Sequence, residues 1–307
     1  MSKSKKILIV CGPTATGKTS LAVKLAKKLN GELISADSRQ VYQGLDIGTG
    51  KDHPPGTKIH ALDLIPPSES FSVSQYLQTV HPLIQKIQSQ GKLPIIVGGT
   101  GLYLKALTQG IATASIPPHP ALRQVLNLFP LSWLKFILKL INPKKYKQMN
   151  RSDQNNPRRL IRALEISLSS KSKHLVSLSS PPSTSPFPRL SANIIYLSAP
   201  LSYLYQQIDQ RVKKRLDQGL LQEIEKLLEK YPWSAPSFKT LGYADFQPFF
   251  QKGDSLENCI SRWRFHEHAY ARRQLTWFKK QPATLKINIS KPNWYSLVLR
   301  QLGKWYT

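Results

Sequence analysis

The sequence predicts an α/β protein: a parallel-sheet core that carries a helical insertion. Three observations predict it. Short β-branched runs alternate with stretches of helical period over the first third of the chain. A glycine-bearing loop ending in Lys-Thr joins the first of these runs to the first helical stretch. Beyond Pro117 helical patterns take over, and a strand pattern returns only at Asn193. Alternating strands and helices build parallel sheets, because each parallel pair needs a crossover connection.

The elements follow in order. Ile7–Cys11 is apolar throughout and reads as a buried strand. Leu21, Leu25 and Leu29, with Ala22 and Ala26 beside them, repeat at helical spacing. Glu32–Ala36 reads as a second strand. Ser72 is placed to cap a helix that runs through Tyr76, Val80 and Ile84. Leu93–Val97 is a third strand, followed by Gly98-Gly99 and a short helix. Residues 117–190 read as a basic helical insertion, and residues 1–116 and 191–307 as the core with its C-terminal helices. Inside the insertion helical patterns reach about Leu168, and the Ser/Pro-rich stretch from Ser169 to Pro188 reads as a loop. Asn193–Leu197 resumes a strand, and the remainder reads as mostly helical. No internal repeat is present.

Composition narrows the partners. The 307 residues include 44 Lys and Arg against 17 Asp and Glu, a formal charge of +27. Such an excess points to a polyanion, since each phosphate neutralised releases a condensed counterion. Between Pro143 and Lys173 nine bases (Lys144, Lys145, Lys147, Arg151, Arg158, Arg159, Arg162, Lys171, Lys173) face two acids, Asp153 and Glu165. Hydrophobic residues make up 40% of the chain, enough for a real core. Cys11 and Cys259 offer neither a disulfide framework nor a zinc spacing, which fits a reducing compartment. The basic start, Met1 to Lys6, precedes an apolar run too short for a signal peptide, and no segment has the length of a membrane span. A cytoplasmic monomer with no membrane partner is expected.

Three motifs carry chemistry. Gly12-Pro13-Thr14-Ala15-Thr16-Gly17-Lys18-Thr19 matches the phosphate loop G-x-x-x-x-G-K-[ST] between a strand and a helix, which makes the core P-loop NTPase-like. Its amides and the following helix N-terminus converge on phosphate oxygens; Lys18 adds a mobile charge and Thr19 a hydroxyl for Mg2+. The loop specifies a di- or triphosphate without specifying ATP. Asp37 stands just past the second strand, where ligands of open α/β sheets bind. There it could ligate Mg2+, cap a helix or accept a proton. Gly98-Gly99-Thr100-Gly101-Leu102-Tyr103 leaves the third strand in the same way, and Thr100 could meet a phosphate or cap the helix. Farther on, Trp263, Tyr270 and Trp277 recur every seven residues and read as a core stripe, with Arg262, Arg264, Arg272 and Arg273 beside it for phosphate.

Together these motifs resemble the tRNA dimethylallyltransferases. The likeness rests on Gly12–Thr19, Asp37-Ser38 with Val41-Tyr42, Asp46-Ile47-Gly48-Thr49, and Gly98–Tyr103. It continues through Asn156–Glu165, Leu241-Gly242-Tyr243 and Tyr270–Phe278, and spans roughly residues 7 to 280. Two departures stand out. Glu267-His268 replaces a usual Thr-Arg pair, and Asn156 replaces an acid before Pro157.

The resemblance implies transfer of a dimethylallyl group from dimethylallyl diphosphate to an adenine amine beside the anticodon, with Mg2+ as cofactor and a tRNA anticodon stem-loop as partner. It makes Asp37 the proton acceptor, Thr100 a polar contact at the transferring site, and Arg211 a diphosphate partner on the helix Leu201–Leu216. By spacing alone Arg211 flanks the apolar stripe Leu204, Ile208, Val212, and with Arg215 one turn on would read as one of two solvated arginines. The resemblance assigns tRNA contacts to Asp37, Ser38, Arg39, Gln40, Thr100 and Arg123, to Arg158, Arg159, Leu160, Ile161 and Arg162, and to Lys239, Thr240, Leu241, Gly242, Tyr243 and Ala244. A P-loop nucleotide kinase would share Gly12–Thr19 but gives no reason for the +27 charge.

Overall fold

The computed structural model describes residues 6–52, 54–174 and 187–306. The chain forms two compact units, Met1–Gln109 with Arg189–Thr307, and Gly110–Pro188.

The first unit is built on a six-stranded sheet in the order β3-β2-β4-β1-β5-β6, parallel throughout. Its strands are β1 (Leu8–Cys11), β2 (Gly31–Ser35), β3 (Ile59–His60), β4 (Leu93–Gly98), β5 (Asn193–Ser198) and β6 (Leu285–Asn288). β1 and β4 are buried along their whole length, which is why they read as unbroken apolar runs instead of alternating ones. The register sets Cys11 beside Gly98 of β4 and Tyr196 of β5, so three carboxyl ends meet at one edge. β3 and β6 correct the sequence reading, which had neither. β3 is two residues long, and β6 buries only Ile287 fully, so neither carries a strong apolar run.

Helices cover both faces. α1 (Lys18–Lys28) buries Leu21, Ala22, Leu25 and Ala26 against Leu8, Val10, Leu33 and Val97. α2 (Val73–Ser89) starts at a capping box in which Ser72 and Gln75 satisfy each other's amides, a device that stabilises by about 1 kcal/mol. Tyr76 of α2 stacks on Tyr103 of α3 (Gly101–Gln109) at 3.9 Å between ring centroids.

The second unit is helical: α4 (Pro120–Asn127), α5 (Leu131–Ile141), α6 (Pro143–Gln148), α7 (Arg151–Gln154) and α8 (Pro157–His174). Its core sets Leu134 and Leu138 of α5 among Leu160, Ile161 and Leu164 of α8. α8 runs to His174, so the stretch from Ser169 to His174, expected as loop, is helix. The rest of that expected loop, residues 175–186, lies outside the described residues.

After β5 come α9 (Leu201–Asp217), α10 (Leu220–Leu228), α11 (Gln247–Lys252), α12 (Leu256–Lys279) and, beyond β6, α13 (Trp294–Tyr306). α9, α10 and α12 bury Ile208, Val212, Ile224 and Trp263 against Val41, Tyr42, Leu45 and Ile65 in the chain that follows β2. α13 packs on the face that α1 covers, through Val298 and Leu302. Among the described residues no helix is long and apolar enough to cross a membrane.

Candidate active site

The loop between β1 and α1 is the first wall of a cleft of about 620 Å³. Gly17, at φ 68°, turns the chain into α1 from the left-handed region that a residue without Cβ adopts freely. No side chain caps α1, so its first amides stay available to an anion. Lys18 donates from Nζ to Pro13 O at 2.7 Å, and Thr16 Oγ1 donates to the same carbonyl at 2.9 Å. The Lys18 ammonium is pushed down to about 8, first by desolvation inside the loop and then by Arg211, against the pull of Asp37.

The ends of β2 and β4 form the second wall. Ala36 N donates to Val97 O, and Thr100 N donates to Ala36 O. This close approach requires Gly98, where a Cβ would run into the Ala36 carbonyl. Asp37 lines the cleft, and its Oδ1 accepts the Arg39 amide at 2.9 Å. The local turn and the open face of the carboxylate therefore coexist. Thr100 is not among the residues that line the cleft. Its hydroxyl accepts the Ser38 amide at 2.9 Å and so steadies the turn that carries Asp37. Gln40 is likewise occupied: its amide meets Ser35 Oγ and donates to Gly50 O.

α9 and α12 supply the third wall. Arg211 Nη1 donates to Thr14 Oγ1 at 3.0 Å. Arg215, far from solvated, is only 8% exposed and lines the cleft, with Glu267 Oε1 3.7 Å from its Nη1. Burial and then Arg211 push the Arg215 guanidinium down to about 10. Gln274 of α12 joins two loops: its Oε1 accepts the Thr14 amide at 2.8 Å and its Nε2 donates to Gly99 O at 3.0 Å. Tyr270 and Arg273 complete this wall. Of the seven-residue aromatic stripe, only Trp263 is wholly in the core; Tyr270 faces the cleft. Arg262 is held by Asp254 and Arg272 by the Tyr205 hydroxyl, which leaves Arg273 as the cleft arginine of that group.

Sequence reading missed Arg215, Gln274 and Glu267 as cleft residues. A signal existed for the first. Leu204, Ile208, Val212 and Arg215 share one buried stripe of α9, so the arginine falls on an apolar face.

Lys239, Thr240 and Leu241 line the cleft as well. Tyr243 is fully buried with its hydroxyl on Glu223 Oε1, and Gly242 N donates to Asp245 Oδ2, so these two shape the loop. Glu223 also accepts the amides of Asp46, Ile47 and Gly48, which fixes that motif as structural.

In the helical unit the predicted RNA contacts divide. Glu165 is buried and takes Arg123 Nε at 2.7 Å, Arg123 Nη2 at 2.8 Å, the His119 amide and Arg162 Nη1. Burial alone would raise its carboxyl; these donors outweigh that and hold it below the ordinary value. Arg162 also donates to the carbonyls of Thr113 and Ile116. Leu160 and Ile161 are core residues. Leu160 and Ile161 thus build the core of the unit, while the Arg123 and Arg162 side chains join Glu165 and remain 42% and 30% exposed. Arg159 pairs with Asp153, while Arg158 is exposed. Asn156, in place of an acid, still accepts the Arg159 amide as a helix cap.

Comparison with known proteins agrees with this geometry. Residues 40–281 match the IPP transferase family, and residues 5–61 match isopentenyl transferase. A tRNA dimethylallyltransferase of Roseiflexus sp. (strain RS-1) is 38% identical over 92% of each chain. One from Chloroflexus aggregans is 35% identical over 95% of this chain and 99% of its own. Among solved structures, the tRNA isopentenylpyrophosphate transferase of Bacillus halodurans superposes with a TM-score of 0.68 at 32% identity, covering 98% of both chains. A eukaryotic dimethylallyltransferase described as acting on tRNA gives a TM-score of 0.77 at 26% identity, over 97% of this chain and 78% of that one. With a phosphate loop, a carboxylate and two arginines gathered in one cleft and this likeness along nearly its whole length, the chain belongs to the IPP transferase family, the tRNA dimethylallyltransferases.

Proposed function

We propose that this protein moves a dimethylallyl group from dimethylallyl diphosphate to the exocyclic amine of the adenosine next to the anticodon, releasing diphosphate. The observation that carries the reading is the single cleft in which Lys18, Asp37 and Arg211 stand together. An exocyclic adenine amine is a weak nucleophile, its lone pair delocalised into the ring. It needs positioning at attack distance and a base for its proton. Asp37, at the end of β2, is that base. As the allylic carbon–oxygen bond breaks, the diphosphate gains charge, which the loop amides, Lys18 and Arg211 neutralise. No phosphoryl group is transferred.

The site also suits a divalent metal. Among the described residues no cluster of His, Cys, Asp or Glu could cage one, and the phosphate loop offers the Thr19 hydroxyl. That sparse oxygen set fits Mg2+, which keeps its waters and binds through substrate phosphates. Thr19 would hold it, and the ion would supply further charge neutralisation of the diphosphate.

The partner is a tRNA anticodon stem-loop, whose loop base must be extruded to reach the cleft, at a cost of a few kcal/mol that backbone contacts offset. The +27 charge supplies those contacts. We place the enzyme in the cytoplasm as a monomer. The test is incubation with labelled dimethylallyl diphosphate or labelled ATP, with and without tRNA. Label from the prenyl donor enters RNA only when tRNA is present. Release of phosphate from ATP, stimulated by tRNA, would reject the reading.

A further inference from the structure

Arg215 plays no part in the transfer just described. It sits one turn beyond Arg211 on α9, on the buried stripe, and lines the cleft at 8% exposure. Its guanidinium converges with that of Arg211 on one point, the Cα of Gly50. A Cβ there would stand 3.1 Å from Arg211 Nη2 and collide with Arg215 Nη2. Two guanidiniums side by side repel, and each carries five donors. Arg211 spends one on Thr14. Arg215 makes no hydrogen bond among the described residues. Its nearest acid, Glu267, lies 3.7 Å away, beyond hydrogen-bonding distance, and already receives the Trp263 indole N–H at 3.3 Å. A fork of donors with no protein hydrogen bond, opening on a phosphate-binding cleft, calls for an oxyanion.

We infer that Arg215 is a second guanidinium for the diphosphate, and that Glu267 is the positioning residue that keeps it there. The inference rests on the proposed prenyl donor. The loop amides with Lys18 take one phosphate; Arg211 and Arg215 form a two-arginine clamp on the other. Glu267 offsets the repulsion between the arginines without competing for their donors, because it stands on the far helix and is tethered to Trp263. This also gives a role to Glu267, one of the departures from the family pattern: the carboxylate belongs with an arginine that needs a counter-charge.

Titration calorimetry with inorganic diphosphate tests it, alongside melting temperature and affinity for an anticodon stem-loop. Arg215→Met should weaken diphosphate binding by about 10- to 100-fold, the range for losing charge-assisted hydrogen bonds, with stem-loop affinity unchanged. If Arg215→Met also lowers the melting temperature, Arg215→Lys gives the reading: charge stays, the fork is removed, and diphosphate affinity still drops severalfold. Glu267→Gln should raise KM for the prenyl donor more than it lowers kcat, and Glu267→Asp should recover part of the loss. Diphosphate affinity equal to wild type in a folded Arg215→Met or Arg215→Lys overturns the assignment. Wild-type protein that neither binds diphosphate nor transfers label would instead overturn the prenyl-donor reading; binding and transfer by wild type with no effect of the variants would sink only the clamp.

Discussion

Arg211 donates from Nη1 to Thr14 Oγ1 at 3.0 Å, so the helix after β5 holds the phosphate loop after β1 across 197 residues of chain. The contact positions a guanidinium beside the loop before any ligand arrives. Arg211→Leu is therefore expected to lower kcat/KM for the prenyl donor by about 10- to 100-fold, the loss of one or two charge-assisted hydrogen bonds. Steady-state kinetics at saturating stem-loop check it; a kcat/KM within twofold of wild type would count against the contact.

Asp37→Asn keeps the Arg39 turn, since the amide oxygen still accepts that N–H, but removes the base. Single-turnover transfer should slow by roughly 10²–10⁴, while stem-loop affinity holds. A wild-type rate would reduce Asp37 to a turn-former.

Donor binding should depend on pH through Lys18. Its ammonium is pushed down to about 8 in the free protein, and only the charged form attracts diphosphate. Affinity should be level below that value and decline as pH rises through it, by up to tenfold per unit. Lys18→Ala should bind more weakly at every pH and lack the decline. A wild-type profile flat to pH 9 would contradict the placement of Lys18.

Glu165 should matter for stability and not for transfer chemistry. Its carboxyl is held below the ordinary value by the Arg123, His119 and Arg162 donors despite burial. A depressed carboxylate stabilises the folded state above its unfolded value, and that contribution fades as pH falls through the folded one. Glu165→Ala should cost about 1–3 kcal/mol, the range for losing a hydrogen-bonded partner, because the arginines it leaves are partly exposed to water; denaturant unfolding reads it. A loss under about 1 kcal/mol would show that the arginines find other partners.

The proposed tRNA partner predicts backbone contacts at the unpaired basic side chains of the helical unit. Lys144, Lys147, Arg151 and Arg158 are exposed and have no acidic partner among the described residues. Replacing all four by Ala should weaken tRNA binding and reduce the slope of log affinity against log salt by about 0.7–0.9 for each phosphate no longer neutralised. Melting temperature should not move. An unchanged slope would exclude this face.

Much of this could be read from residues alone, and the exceptions have physical causes. Strands buried on both faces announce themselves as apolar runs, so β1, β2, β4 and β5 were legible within a residue or two. Edge strands bury less, and β3 and β6 left no such run. Arg158–Arg162 looked uniformly suited to phosphate because sequence shows charge without showing partners; Glu165, three residues on from Arg162, takes that arginine inward. Arg215 was hidden for the opposite reason. A run of Lys213-Lys214-Arg215 reads as solvated, and only its place on the stripe of Ile208 and Val212 shows that it turns in. Gln274 could not be found at all, since its two partners lie 260 and 175 residues away.

The central claim is that one cleft carries a prenyl group to an adenine amine. The decisive experiment is nucleoside mass analysis of an anticodon stem-loop after incubation with dimethylallyl diphosphate and Mg2+. A single adenosine next to the anticodon should carry one dimethylallyl group on its exocyclic amine, and none should appear with Asp37→Asn on the same timescale. An unmodified stem-loop, or a prenyl group on any other nucleoside, would refute the assignment.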